Sequence, residues 1–281
     1  MSSAQGGWHA RLDLAYRVEQ ARSVARFEHA GPLRILQSLY PEGDAVCHNV
    51  LVHPPGGLVG GDTIDITAHA EAGAHGLVTT PGAARFYRCE SAPAVQRMRI
   101  RLAEGARMEW LPLEAIYYAG CIAENRLLME LAPGAEAMGW DIAAFGLPQA
   151  GQPFAHGRVL QHLELQGHWL ERGIVDAKDK RMMDGPLGLG GHRCMGTLFF
   201  ATGSELTRQR RERALESARE VITAHPLAAT AGATAPSGHV VVVRVLAPLV
   251  EPALALLKSV RAAWRRSLWD LQAHPPRGWA I

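Results

Sequence analysis

Cysteine is scarce in this chain, with four in 281 residues. Cys47, Cys89, Cys121 and Cys194 stand far apart and form no CxxC pair. That spacing points to free thiols in a reducing compartment, not to disulfides or a structural zinc site. Aromatic residues are also few, at 6%, which argues against a groove that stacks sugars. Charge of neither sign dominates, and a formal net charge of +2 gives no strong pull towards nucleic acid or an acidic membrane. No apolar run reaches membrane-span length, and none follows a basic start as a secretory leader would. A cytoplasmic protein is expected. Thirteen histidines are scattered without HxH or HExxH spacing, and a GxSxG elbow is missing.

What is present is alternation. Leu12, Leu14, Tyr16 and Val18 share a face opposite Arg11, Asp13, Arg17 and Glu19 within Trp8 to Phe27, the pattern of a half-buried strand. Arg22 to Glu28 reads as its hairpin partner, and Leu33 to Leu39 and Val46 to Val52 as two more strands. Val95 to Leu102 sets Met98, Ile100 and Leu102 against a solvated row of Arg97, Arg99 and Arg101. Met108 to Leu111, Asn125 to Leu131 and Ala137 to Ala143 continue the series. Val159 to Leu165 and His168 to Val175 then pair around Gly167.

The turns EAGA (71–74), AEGA (103–106), APGA (132–135) and a weaker QG (166–167) recur about every thirty residues, each flanked by amphipathic strands. The reading is a hairpin-like unit that covers its apolar face only by stacking on its neighbours. The expected fold is mainly β, with stacked, solenoid-like antiparallel and mixed sheets and two helices near the C-terminus. One domain spans 1–281, with a β-body over about 7–203 and a helical cap and tail over about 204–281. Asp176 to Gly196 reads as an extended, mobile loop. Glu205 to Ala224 reads as a helix with Ser204 as its N-cap, Ala228 to Ser237 as a linker, and Pro252 to Leu271 as a second helix.

The stretch from Val52 to Arg88 organises the rest. Its loop Gly56-Gly57-Leu58-Val59-Gly60-Gly61 closes on Asp62. No GK[ST] follows and the loop leads into a strand, so it is not a phosphate cradle. Asp62, Glu114 and Asp141 stand in apolar surroundings, where an acid is costly unless it is paired or metal-bound. Arg85, Arg88 and Arg158 are the partners at hand. Three acids with few candidate bases assemble no catalytic set, and no enzyme is expected.

At these residues the chain resembles the UreD (also UreH) family of urease accessory proteins. The matching segments are Pro55 to Asp62; Thr79-Thr80 through Arg85-Phe86-Tyr87-Arg88; Leu111-Pro112-Leu113-Glu114-Ala115-Ile116; Gly157-Arg158; and Pro275-Pro276-Arg277-Gly278-Trp279-Ala280. Two departures stand out. Arg85 replaces the familiar lysine, and Leu163-Glu164-Leu165 replaces an acidic-aromatic segment.

The resemblance implies a β-rich scaffold that acts with helical UreF and the nickel-carrying GTPase UreG to load nickel into apo-urease. It implies binding to the apo-enzyme and an internal passage for the metal. Nickel is then cargo in transit, with no cofactor tightly bound and no stable metal site. A conduit must not be a trap. A nanomolar site is worth about −12 kcal/mol and, with an on-rate of roughly 10⁷ M⁻¹s⁻¹, holds its ion for about a hundred seconds, whereas a micromolar site releases about ten times a second. Sparse oxygen ligands suit transit better than a thiolate or multi-histidine cage. On this reading Asp62, Glu114 and Asp141 border a polar passage. Arg85 and Arg158 pair with some of them and fix its wall, to which Tyr87 also belongs, and Gly56, Gly57, Gly60 and Gly61 shape the adjoining loop. UreF is expected on the C-terminal helices and the 176–196 loop. The alternatives are a β-solenoid carbohydrate-active enzyme and a metal-independent scaffold.

Overall fold

Alternating strands joined by glycine turns do coil in the computed structural model, which describes residues 7–279. The strands are β1 (His9–Glu19), β2 (Arg22–Ala30), β3 (Arg34–Ile35), β4 (Cys47–Val52), β5 (Thr63–Ala70) and β6 (His75–Thr79). Next come β7 (Ala84–Phe86), β8 (Ala94–Leu102), β9 (Arg107–Leu111), β10 (Ala115–Tyr117), β11 (Ile122–Leu131) and β12 (Glu136–Leu147). The last six are β13 (Gln152–Pro153), β14 (Arg158–Leu165), β15 (Trp169–Asp176), β16 (Cys194–Thr202), β17 (Ala231–Ser237) and β18 (Val240–Ala247). Helices α1 (Lys180–Asp184), α2 (Arg208–Thr223) and α3 (Val250–Trp269) complete the chain. One sheet has seven strands in the order β15-β14-β11-β8-β5-β1-β2, and a second has eleven, with the path β17-β18-β16-β12-β9-β6-β4-β3.

The repeat unit is an arch, not the hairpin expected from the sequence. β5 lies in the first sheet and β6 in the second, and β8–β9 and β11–β12 divide in the same way. Thr63 pairs with Val95 in one sheet while His75 pairs with Arg107 in the other, 32 residues on in both cases. Pairing therefore runs in parallel between successive coils and not within one. The turns account for this. Gly73, Gly105 and Gly134 adopt positive φ, and each following alanine, Ala74, Ala106 and Ala135, turns fully inward. Those alanines bond back to Glu71, Ala103 and Ala132 at 3.0–3.1 Å, so each turn sends the chain across the core to the facing sheet. The fourth turn, at Gly167, is a true hairpin between β14 and β15.

Three layers result. Leu12, Leu14, Ile66, Met98, Ile100 and Leu127 fill the space between the sheets with Ala137, Ala143 and Phe145. Met138, Trp140 and Ile142, on the other face of β12, pack with Phe200, Leu256 and Trp264 beneath the helices. β18 is covered on both faces, so Val240 to Val243 can all be apolar.

Other expectations change. Leu33 to Leu39 is strand only at Arg34–Ile35, with one bridge at Leu39. The 176–196 segment is folded, not extended. Asp179 caps α1, Met183 and Leu189 are buried, and Leu189 N bonds Met182 O at 2.7 Å. Thr207, not Ser204, caps α2, while the Ser204 hydroxyl accepts from Gly134 N at 2.9 Å. The expected linker at Ala228 to Ser237 is largely edge strand β17. The tail motif ends at Ala280, which lies outside the described residues. Among the described residues, no helix is long and apolar enough to cross a membrane.

Candidate functional site

The three acids singled out from sequence do not share one site. Asp62 is 2% exposed and closes the glycine loop. Its carboxylate accepts from Val59 N at 2.8 Å and Trp8 N at 3.2 Å. Two backbone donors satisfy it, so its burial needs neither an arginine nor a metal. Glu114 lines a separate cavity of about 300 Å³ at the start of α3, with Ile116, Arg193, Cys194, Leu249 and Glu251. Burial, reinforced by Glu114 and Glu251, pushes the Cys194 thiol up to about 12.

Asp141 alone faces the space between the sheets. β12 turns its odd-numbered residues inward, and Asp141 meets a polar row on the opposite sheet. Asn125 Nδ2 donates to Asp141 Oδ1 at 2.7 Å, Gln161 Nε2 donates to Oδ2, and Gln96 Nε2 donates to Asn125 Oδ1 at 3.2 Å. Gln96, Asn125 and Gln161 are register neighbours on β8, β11 and β14. Burial pushes the Asp141 carboxyl up to about 6, although the two amides oppose that shift. The nearby Tyr117 hydroxyl is buried without a partner among the described residues. Burial first and Asp141 second raise its pKa well above the phenol range.

A cavity of about 50 Å³ lies against Asp141, walled by Thr80, Ala84, Gln96 and Asn125. It adjoins one of about 180 Å³ lined by His53, Gly56, Pro81 and Arg85, and both share Leu51, Ile66, Thr80, Ala84 and Gln96 as walls. Asp141 is the one carboxylate on either wall among the described residues, so the flanking acid pair of a glycosidase is not formed there. His53 sits at the outer cavity with a buried Nε2 that has no partner among the described residues. Its ring tilts against Trp8 at 4.9 Å. Burial lowers its pKa, against the pull of Asp62, which leaves a neutral imidazole facing the cavity.

The glycine loop shapes this opening. A Cβ on Gly57 would overlap the Tyr87 ring, and one on Gly60 would stand 2.8 Å from Ala92 O. Gly61 stacks on Gly7, and Gly56, with φ +74, lies beside Arg85 Nη1. Contrary to expectation, no ion pair joins Arg85 or Arg158 to Asp62, Glu114 or Asp141 among the described residues, whereas Arg97, Arg107 and Arg126 each find a carboxylate. Arg158 is exposed at the start of β14. Tyr87 is 38% exposed and stacks on Tyr118, with centroids 5.0 Å apart.

The sequence reading missed His53 and the amide row, but a signal for the row exists. Gln96-x-Met98-x-Ile100, Asn125-x-Leu127-x-Met129 and Gln161-x-Leu163-x-Leu165 each set one amide at the head of an inward apolar face. It also missed Glu109, which is fully buried between Arg261 Nε at 2.6 Å and Arg265. Among the described residues, no group of three or more His, Cys, Asp or Glu side chains is placed to hold a metal ion.

The family model described as UreD urease accessory protein matches residues 8–280. The chain is 64% identical over 273 residues to the urease accessory protein UreD of Variovorax paradoxus, covering 97% of this chain and 99% of that one. It is 62% identical over 274 residues to the protein of the same name from Polaromonas sp. strain JS666, at 98% and 99% coverage. The similarity extends to 47% identity over 292 residues with the Methylibium petroleiphilum protein.

Proposed function

Since the chain belongs to the UreD family of urease accessory proteins and so serves urease maturation, we propose that it carries nickel in transit to apo-urease, in a complex with UreF and, through UreF, the GTPase UreG. The way in runs from the His53–Arg85 opening, past Thr80, Ala84 and Gln96, to Asp141. The observation that carries this reading is Asp141, at the inner end of two adjoining cavities, tethered by amides and, among the described residues, the one carboxylate on their walls and in no salt bridge.

Its chemistry suits passage. One carboxylate oxygen, amide groups and water bind a borderline dication weakly, and the neutral imidazole of His53 adds one nitrogen at the entrance. Neither alone builds the multi-ligand cage that would retain the ion. The acids named from sequence accordingly divide. Asp141 takes the metal role, Asp62 holds the loop, and Glu114 lies in a different cavity.

The test is nickel content of urease matured with each neutral variant. Asp141→Asn and His53→Ala should lower it severalfold, while Glu114→Gln should leave it near wild type. Undiminished loading with both Asp141→Asn and His53→Ala would remove the proposal.

The second part of the reading places UreF on the outer face of α2 and on the 180–191 turns. Nine of the twenty residues of α3 are buried against three of the sixteen of α2, so α2 and the neighbouring turns offer the more open face to a partner. Truncation before α3 is a poor test, because it strips Arg261 and Arg265 from buried Glu109. Arg208→Glu on the exposed face of α2 is the cleaner probe, and co-purification of UreF unaffected by it would count against that placement.

A further inference from the structure

The opening at Arg85 carries positive charge that a cation passage by itself does not explain. Arg85 lies across Gly56 and Tyr87 across Gly57, both exposed. Tyr87 stacks on Tyr118, with rings 24° from parallel. Arg88 runs along Gly120, where a Cβ would stand 2.9 Å from Arg88 Cγ and 3.1 Å from His156 Nε2. Arg85, Tyr87, Tyr118, Arg88 and His156 therefore form one continuous surface. Neither arginine has an ion pair among the described residues, while Arg97, Arg99 and Arg101 on β8 and Arg126 on β11 all do. Glu90, two residues on, is exposed and bonds to neither.

A bare dication is repelled by such a rim at separations inside the screening length, about 8 Å at physiological salt. Some opposite charge must cover the rim before a cation crosses it. Two guanidinium groups beside stacked tyrosines have the composition of a protein-binding surface, and guanidinium forks match carboxylates in geometry. Nucleic acid fits less well, because the tyrosine faces are spent on each other and not held open for bases.

We propose that the Arg85–Tyr87–Tyr118–Arg88 surface docks a carboxylate-rich protein surface, whose charge offsets the rim and opens the mouth to the dication. The docking half stands on geometry and charge; the opening half rests on the passage reading above.

Two measurements test it. The first is anisotropy of a labelled decaglutamate peptide titrated with the full chain. Arg85→Gln/Arg88→Gln should weaken binding at least tenfold, Arg85→Lys/Arg88→Lys should recover most of it, and decalysine should not bind. Equal binding by wild type and the glutamine pair overturns the docking surface. So does complete displacement by millimolar inorganic phosphate, which would mark a simple anion site. The second is co-expression of the tagged chain with a complete urease gene cluster, reading both the complex with apo-urease, apart from UreF held at α2, and the nickel content of urease. The glutamine pair, with its thermal midpoint unchanged, should lose both. A retained complex overturns docking and leaves the passage reading standing. A lost complex with full nickel loading overturns the passage reading and, with it, the opening of the mouth.

Discussion

Asp141 ionises near pH 6 because the sheets enclose it, and that property is open to direct test. Its folded pKa is raised from 3.8 to about 6, so the folded state holds the proton more tightly than the unfolded chain. Its contribution to stability is therefore fully present below about pH 3.8 and is lost as pH rises through about 6. Keeping Asp141 ionised at neutral pH costs roughly 3 kcal/mol against an exposed carboxylate. Asp141→Asn removes the titration but leaves one of two amide donors, on Asn125 or Gln161, facing another donor. The absolute change is thus mixed in sign, while its pH dependence is not. Urea unfolding at pH 5 and pH 8 should show the variant gaining on wild type by about 1 kcal/mol across that interval. A parallel pair of stability curves would mean that Asp141 is solvated. Metal transfer by wild type should fall as pH drops below about 6, since the protonated acid is a poor ligand.

Among the elements, α3 shows best how the fold is tied together. Arg261 and Arg265 are 2% and 0% exposed, and both reach Glu109 on β9. Arg265 also bonds Glu42 and the Gln272 carbonyl, and Glu42 bonds His48 at 2.6 Å. Burial alone would raise the Glu109 pKa, but Arg261, His75 and Arg265 outweigh it and hold the carboxyl well below the usual range. The tail then folds over the helix. Trp279 Nε1 donates to Thr79 Oγ1 at 2.9 Å, and the Trp279 ring packs on Trp140 at 5.1 Å. Replacing one member of a buried charge cluster strands the others, so Arg265→Met should cost about 3–5 kcal/mol in urea unfolding. A loss below 1 kcal/mol would show that water reaches Glu109. Glu109 is one polar residue in an apolar strand along the sequence, and its cationic partners lie more than 150 positions away.

At the scale of the molecule, the arches hold two sheets apart over a shared core, and the polar row with its cavities lies in that gap. Ala84 lies on the wall of both cavities, where its small side chain leaves the way open. Ala84→Phe should fill the junction and lower nickel loading of urease severalfold, with the thermal midpoint nearly unchanged and partner binding intact. Normal loading by a folded Ala84→Phe protein would mean that the metal takes another route. The repeat was legible because its turns are local: glycine followed by an inward alanine reads the same in every coil. The arch was not, because the direction a strand takes after such a turn depends on which neighbour covers its apolar face.

By itself, the sequence determined most of the long strands, the period of the coil, the two long helices and the family, since each depends on local alternation, turn chemistry or contiguous motifs. Only the tertiary structure decided which acid faces the cavities between the sheets. Asp62, Glu114 and Asp141 look alike along the chain. A carboxylate's role follows from what faces it across the sheets: two backbone amides for Asp62, a surface hollow for Glu114, and for Asp141 a row of amides contributed by three separate coils. That juxtaposition depends on parallel register between residues about thirty positions apart, and no local pattern encodes it.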